Sequence, residues 1–228
     1  MSAPLSALLA LADQRLPSGG HVHSGGIEQA VAEGWVNDPD SLLTFLRRRL
    51  ATAGRVGAGL AAATSGLTEA TVAILDAEAD ARMPSPAQRE ASRAQGRGLL
   101  RTARAAWAAP HERLAWSTLG PRPHHPVVLG CAARAAGADA VGAALVAAYL
   151  SVSGPATAAQ RLLGLDPVAV AAATLALGAE IERVAAEAAQ AAVAAIDRSW
   201  ADLPDDSDPL LDLLAERHAV RLLTLFTS

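Results

Sequence analysis

Apolar residues recur at i, i+3 and i+4 along almost the whole chain, and no alternating β-branched runs interrupt them. That period predicts helices near 3–15, 24–33, 39–53, 56–80, 86–108, 126–136, 139–153, 167–198 and 209–225. Four starts are marked by an N-cap residue before a proline at the first helical position: Asp38-Pro39, Ser85-Pro86, Asp166-Pro167 and Asp208-Pro209. Ser85 with Gln88 three residues later reads as a capping box. The connections are short, as helical domains prefer. Two stretches are looser, 110–126 and 199–208. The pattern therefore predicts an all-α, single-domain helical bundle of about nine to ten helices. Residues 1–198 form its body, and 199–228 form a hinge and a C-terminal segment suited to docking on a partner.

Composition narrows the function. The 228 residues are 51% hydrophobic, enough for a real core. Net charge is -4 and the pI about 5.8, which argues against nucleic-acid binding. All 19 cationic side chains are arginine, and lysine is absent. A Walker A loop and Schiff-base chemistry both need lysine, so those classes are closed. Cys131 stands alone, as a buried small residue would in a reducing cytosol. The charge-free stretch 140–160 contains glycines, a proline and hydroxyls, and reads as a buried helix rather than a membrane span. The start of the chain lacks the basic end of a signal peptide, so a cytoplasmic location is expected.

Four features hold candidate chemistry. The stretch "LPSGGHVHSGG", residues 16–26, combines a helix-ending proline with glycine pairs. It reads either as an inter-helix loop or as a place where a partner backbone approaches closely. His21 and His23 point to the same side of an extended loop and could pinch a metal. Two ligands fall short of the usual three or four, unless two chains pair. Arg89, Arg93, Arg97, Arg101 and Arg104 cover an arc of about 120° on one helix. They are either a solvated or internally paired face, or a docking ridge for an acidic surface. His124 and His125 precede Pro126 and point to different sides of the backbone. The segment "PLLDLLAERHAVRLLTLFTS" is amphipathic and suits its own core or a partner's groove. No G-x-S-x-G elbow, H-E-x-x-H motif or placed cysteine nucleophile is present, so no catalysis is expected.

These residues resemble the UreF family of urease accessory proteins. The likeness rests on "LLALADQRLPSGGHVHSGGIEQAVAEGWV", "ASRAQGRGLLR", "HHPVVLGCAARAAG" and "ERHAVRLLTLFTS", in that order across nearly the whole chain. Gly19, Gly20, Ser24, Gly26 and Glu28 match the N-terminal motif, with His23 where histidine or tyrosine is frequent. His124 and Pro126 match an H-x-P element, and Arg217-His218 an Arg-His pair. Arg221 stands one turn before the position where an arginine is usual and where this chain has Thr224. The resemblance implies a dimeric scaffold, without intrinsic cofactor, that binds UreD (also called UreH), recruits the GTPase UreG and engages apo-urease while nickel is delivered. With the matched residues, Arg89, Arg93, Arg97 and Arg101 are then partner-binding candidates. Ser153-Gly154-Pro155 departs from the family pattern and is expected to break its helix. The alternative is a carrier that binds nickel through His21 and His23.

Overall fold

Proline placement accounts for where most helices begin. In the computed structural model, which describes residues 5–17, 23–66, 71–108, 116–221 and 225–226, eleven α-helices occur and no strand pairs with another to form a sheet. They are α1 (Leu5–Ala12), α2 (Ile27–Ala32), α3 (Pro39–Arg49), α4 (Arg55–Ser65), α5 (Val72–Ala81), α6 (Pro86–Ala106), α7 (His125–Ala135), α8 (Ala140–Leu163), α9 (Pro167–Ala176), α10 (Gly178–Asp197) and α11 (Pro209–Ala219). The fold is all-α, as the periodicity predicts.

Two expected helices are each divided, which raises nine to eleven. The stretch expected at 56–80 stops at Ser65. There the hydroxyls of Thr64 and Ser65 turn back onto the carbonyls of Leu60 and Ala62, at 2.7 and 2.8 Å, and Gly66 caps the end. The stretch expected at 167–198 turns at Leu177, which is fully buried, before the weak helix former Gly178. Conversely, α3 does not end near 53. It runs through a π-helical segment, Leu50–Gly54, straight into α4. The segment expected at 209–225 is helical only to Ala219.

The expected break at Ser153-Gly154-Pro155 does not occur. α8 continues through Pro155 to Leu163. Proline removes the N–H that would bond the carbonyl four residues back, at Ser151. That carbonyl is taken instead by the Nε of Arg49, at 3.1 Å. The lost helical bond is replaced from another helix, so the turn holds.

The Ser85 cap is also completed from outside its own helix. Ser85 accepts from Gln88 N at 3.1 Å, but the expected reciprocal bond from Gln88 is not made. Glu216 of α11 accepts from the Ser85 hydroxyl and from Ala87 N instead, at 2.5 and 3.0 Å.

α4 lies at the centre, packed on α7, α8 and α10. Small residues set the spacing. A Cβ on Gly130 would collide with the Ala61 carbonyl, and one on Gly96 with the Pro123 carbonyl, so α7 meets α4 and α6 almost backbone to backbone. Buried Trp116, 2% exposed, donates its indole N–H to the Trp107 carbonyl at 2.9 Å. α8 is long and apolar enough to span a membrane by length and composition, and half of its most apolar window is buried here against the other helices.

The stretch 199–208, read from sequence as a hinge, lies bonded to the body. Arg82 donates to the carbonyls of Trp200, Leu203 and Pro204 at 2.6, 3.4 and 3.0 Å. Arg48 holds Asp208, whose carboxylate also caps α11 through Leu210 N.

Candidate functional site

The first and last family motifs meet. Glu28 sits in the first turn of the short α2, fixed by Gly26 at its N-cap with φ +89. One Glu28 carboxylate accepts three bonds: from His218 Nε2 at 2.8 Å, Leu225 N at 2.7 Å and Phe226 N at 3.0 Å. Glu28 and His218 are both nearly fully buried. Burial raises the Glu28 carboxyl, but the Leu225 amide, the His218 ring and the Phe226 amide outweigh it and hold it below its ordinary value. Around this centre Arg217 pairs with Glu33 at 2.8 Å, Gln29 donates to Glu33 at 2.9 Å, and Arg221 reaches Gln29 at 3.4 Å. Arg161 of α8 stacks on Phe226 at 4.9 Å. The segment after α11 is thus fastened to α2 by a charged hydrogen-bond network with an apolar lid.

A second cluster forms around His124. Its Nε2–H donates to Asp80 at 2.8 Å, so its Nδ1 accepts from the Ser92 hydroxyl at 3.0 Å, and its backbone N–H donates to Asp76 at 2.7 Å. Arg93 bridges Asp76 and Asp80 at 3.1 and 2.5 Å and also reaches the Arg122 carbonyl. The ring is fully buried, and burial lowers its pKa, against the bond to Asp80. Ser92, His124 and Asp80 stand in series like a relay. The buried ring and the arginine on Asp80 make this a brace that ties α5 and α6 to the start of α7.

The remaining candidates divide. Gly19, Gly20 and His21 lie outside the described residues. His23 is buried beside a cavity of about 220 Å³, which His125 also lines. Ser24 is fully buried, and its hydroxyl has no partner among the described residues. Pro126 is buried at the start of α7. Arg89 donates to the carbonyls of Met83 and Pro84, and Arg104 to that of Trp116. Arg97 and Arg101 are exposed on α6. The stripe is therefore mixed: Arg89, Arg93 and Arg104 serve the fold, while Arg97 and Arg101 face outward. Among the described residues no three His, Cys, Asp or Glu side chains gather as metal ligands.

Sequence reading missed Arg49. It follows Arg47 and Arg48 in the last turn of α3, where three arginines suit the helix dipole and look like surface. Its Nη1 donates to the Gly25 carbonyl at 3.0 Å. Gly25 has φ +60, and a Cβ there would lie 3.0 Å from both the guanidinium carbon and the Pro155 ring. The only available signal was Pro155 inside a helical pattern, whose orphaned carbonyl needs a donor.

An all-helical protein in which an N-terminal glycine-rich motif is bonded to a C-terminal segment defines a class, and its relatives identify which one. The UreF family matches residues 36–178. The chain is 51% identical to the urease accessory protein UreF of Mycolicibacterium vanbaalenii over 226 residues, 98% of this chain and 99% of the relative. It is 50% identical to UreF of Mycobacterium sp. (strain JLS) and 47% to UreF of Mycobacterium tuberculosis (strain ATCC 25618 / H37Rv), each over 224 residues, 98% of this chain and 99% of the relative. The chain belongs to the UreF family of urease accessory proteins.

Proposed function

We propose that this protein is the UreF component of urease maturation. It acts as a dimeric, non-catalytic scaffold in the cytoplasm that binds UreD (UreH) and recruits the GTPase UreG to apo-urease. Nickel is cargo of the assembly, and this chain holds no cofactor of its own. The observation that carries this reading is near-full-length identity of about half to proteins named urease accessory protein UreF. The fastening of the C-terminal segment to α2 supports it, because the buried contact of Glu28 with His218, 190 positions apart, brings two motif segments together and leaves Arg217 and Arg221 exposed beside them. Arg217, Arg221 and the outward arginines Arg97 and Arg101 are the polar groups offered to a partner there and on α6.

The test is size-exclusion chromatography with light scattering, on the protein alone and mixed with UreD and UreG of the same organism. A dimer that becomes a stable larger complex is expected, together with urease activation in a strain lacking the native gene. Unchanged elution beside soluble, active partners would remove the scaffold reading.

A further inference from the structure

Arg49 carries a charge that no carboxylate among the described residues balances. Its guanidinium bonds two backbone carbonyls, those of Ser151 and Gly25. Burial lowers its pKa to about 10. Arg49 is half-buried, and a cation even partly withdrawn from water without a counter-ion is disfavoured. Nε and Nη1 are used, and Nη2 has no bond within the protein among the described residues. Arg49 lines the cavity of about 220 Å³ between α3, α6, α8 and α11. That is on the order of seven waters' share of liquid volume, enough for a small ion with part of its hydration.

Other polar groups of the same cavity are also uncommitted among the described residues. The His125 ring and the side-chain amides of Gln88 and Gln95 line the same cavity and make no hydrogen bond within the protein among the described residues. Burial, reinforced by His23, lowers the His125 ring to about 4, so it is neutral at pH 7 with one N–H to donate. None of the four acids in the lining, Asp13, Asp206, Asp208 and Asp212, pairs with Arg49, and Asp13 is held by Arg15 at 2.7 Å. Asp206 and Asp208 are held by Arg55 and Arg48. Asp212 has its pKa raised by burial and by the charges of Asp208 and Glu216, and makes no ion pair with Arg49 among the described residues.

We infer that this cavity is a binding site for a small oxyanion, with the free edge of Arg49 as its counter-charge and His125, Gln88 and Gln95 as hydrogen-bond donors. A planar guanidinium edge suits two oxygens of a carboxylate, bicarbonate or phosphate, and does not suit chloride in the same way. The bound anion would secure the Gly25 loop to α8 through the residue that already bridges them. This inference rests on the cavity alone and stands apart from the scaffold reading.

The experiment uses the full chain. Thermal unfolding and calorimetric titration are run with sodium phosphate, acetate and bicarbonate, against sodium chloride at equal ionic strength. Ligand that binds only the folded state raises the melting temperature with the logarithm of its concentration, here by about 3–6 °C near tenfold excess over Kd, and the calorimetric titration saturates. The rise is expected with at least one oxyanion and not with chloride. Phosphate acting alone would indicate a tetrahedral ligand, and acetate or bicarbonate a planar one. Arg49→Met should abolish the effect. Because Arg49 also holds α8, a second variant, His125→Phe with Gln95→Leu, keeps its clasp and should weaken binding at least tenfold. Equal shifts with chloride, or unchanged binding in the second variant, would overturn the inference.

Discussion

Arg49 donates its Nε to the carbonyl of Ser151, the acceptor that Pro155 leaves without a helical partner. A guanidinium from the end of α3 thereby substitutes for one backbone N–H in α8. Proline inside a helix ordinarily costs about 3 kcal/mol, partly through that missing bond. The compensation is specific to this geometry and can be measured.

Arg49→Met should destabilise the chain by about 2–4 kcal/mol, the range for losing hydrogen bonds from a charged donor. In a Pro155→Ala background the alanine N–H takes the Ser151 carbonyl, and the cost of Arg49→Met should fall by about 1 kcal/mol. Urea unfolding of the four proteins gives this coupling. Strict additivity would mean that Arg49 does not serve the orphaned carbonyl.

Glycine substitutions should split by sign. A Cβ on Gly57, inside α4, meets nothing within 4 Å. Gly57→Ala should therefore stabilise by about 0.5–1 kcal/mol through helix propensity. A Cβ on Gly96 collides with the Pro123 carbonyl. Gly96→Ala should cost several kcal/mol, on the order of 3, or prevent folding. Paired thermal melts decide it, and equal effects would contradict the close approach of α6 to the start of α7.

Stability should fall as pH drops below neutral, in two windows. The His125 ring has its pKa lowered to about 4 in the fold, so its contribution is present above the ordinary value of 6.5 and is lost as pH falls from there toward 4. Glu28 is lowered from 4.5, so its contribution is present above that value and is lost further down. His125→Phe should make the upper window shallower, leaving the share that buried His124 contributes, and should not change the lower one. Glu28→Gln should make the lower one shallower, since Asp80 and Asp208 are lowered too, while costing about 1–3 kcal/mol at pH 7 and weakening hydrogen-exchange protection at Leu225 and Phe226. Unfolding at a series of pH values separates the two.

The α6 arginines should divide by role. Arg97→Glu with Arg101→Glu changes exposed charges and should leave the melting temperature within a few degrees, while weakening capture of UreD or UreG in a salt-dependent way. Arg93→Glu removes the bridge between Asp76 and Asp80 beside buried His124 and should unfold the chain at much lower temperature. Normal capture by the Arg97/Arg101 double variant would remove α6 as an interface.

What the sequence reveals follows from the range of each interaction. Caps at Asp38, Ser85, Asp166 and Asp208 are local, and all four side chains accept the expected backbone bonds. Breaks at Gly66 and Leu177 were hidden because alanine-rich helices keep their period across a turn. The continuity of α8 was illegible because the donor that rescues Pro155 comes from 102 residues away. The same holds at the site. Glu28 and His218 stood out as motif residues, but their contact is a tertiary fact. The arginine stripe was visible, whereas its division into braced and outward members depends on tertiary partners: Asp76 and Asp80 for Arg93, and the carbonyls of Met83, Pro84 and Trp116 for Arg89 and Arg104.

The alanine-rich centre reverses the usual map of mutational risk. A buried alanine gives up no rotamer entropy on folding and leaves almost nothing to truncate. At Ala61, Ala132, Ala143 or Ala188, each at most 1% exposed, loss of volume is a small hazard and gain of volume a large one. Relatives should therefore diverge freely on the outer faces of α4, α7, α8 and α10 while their inner faces drift only among glycine, alanine and serine. Even one added methylene there would have to push two backbones apart.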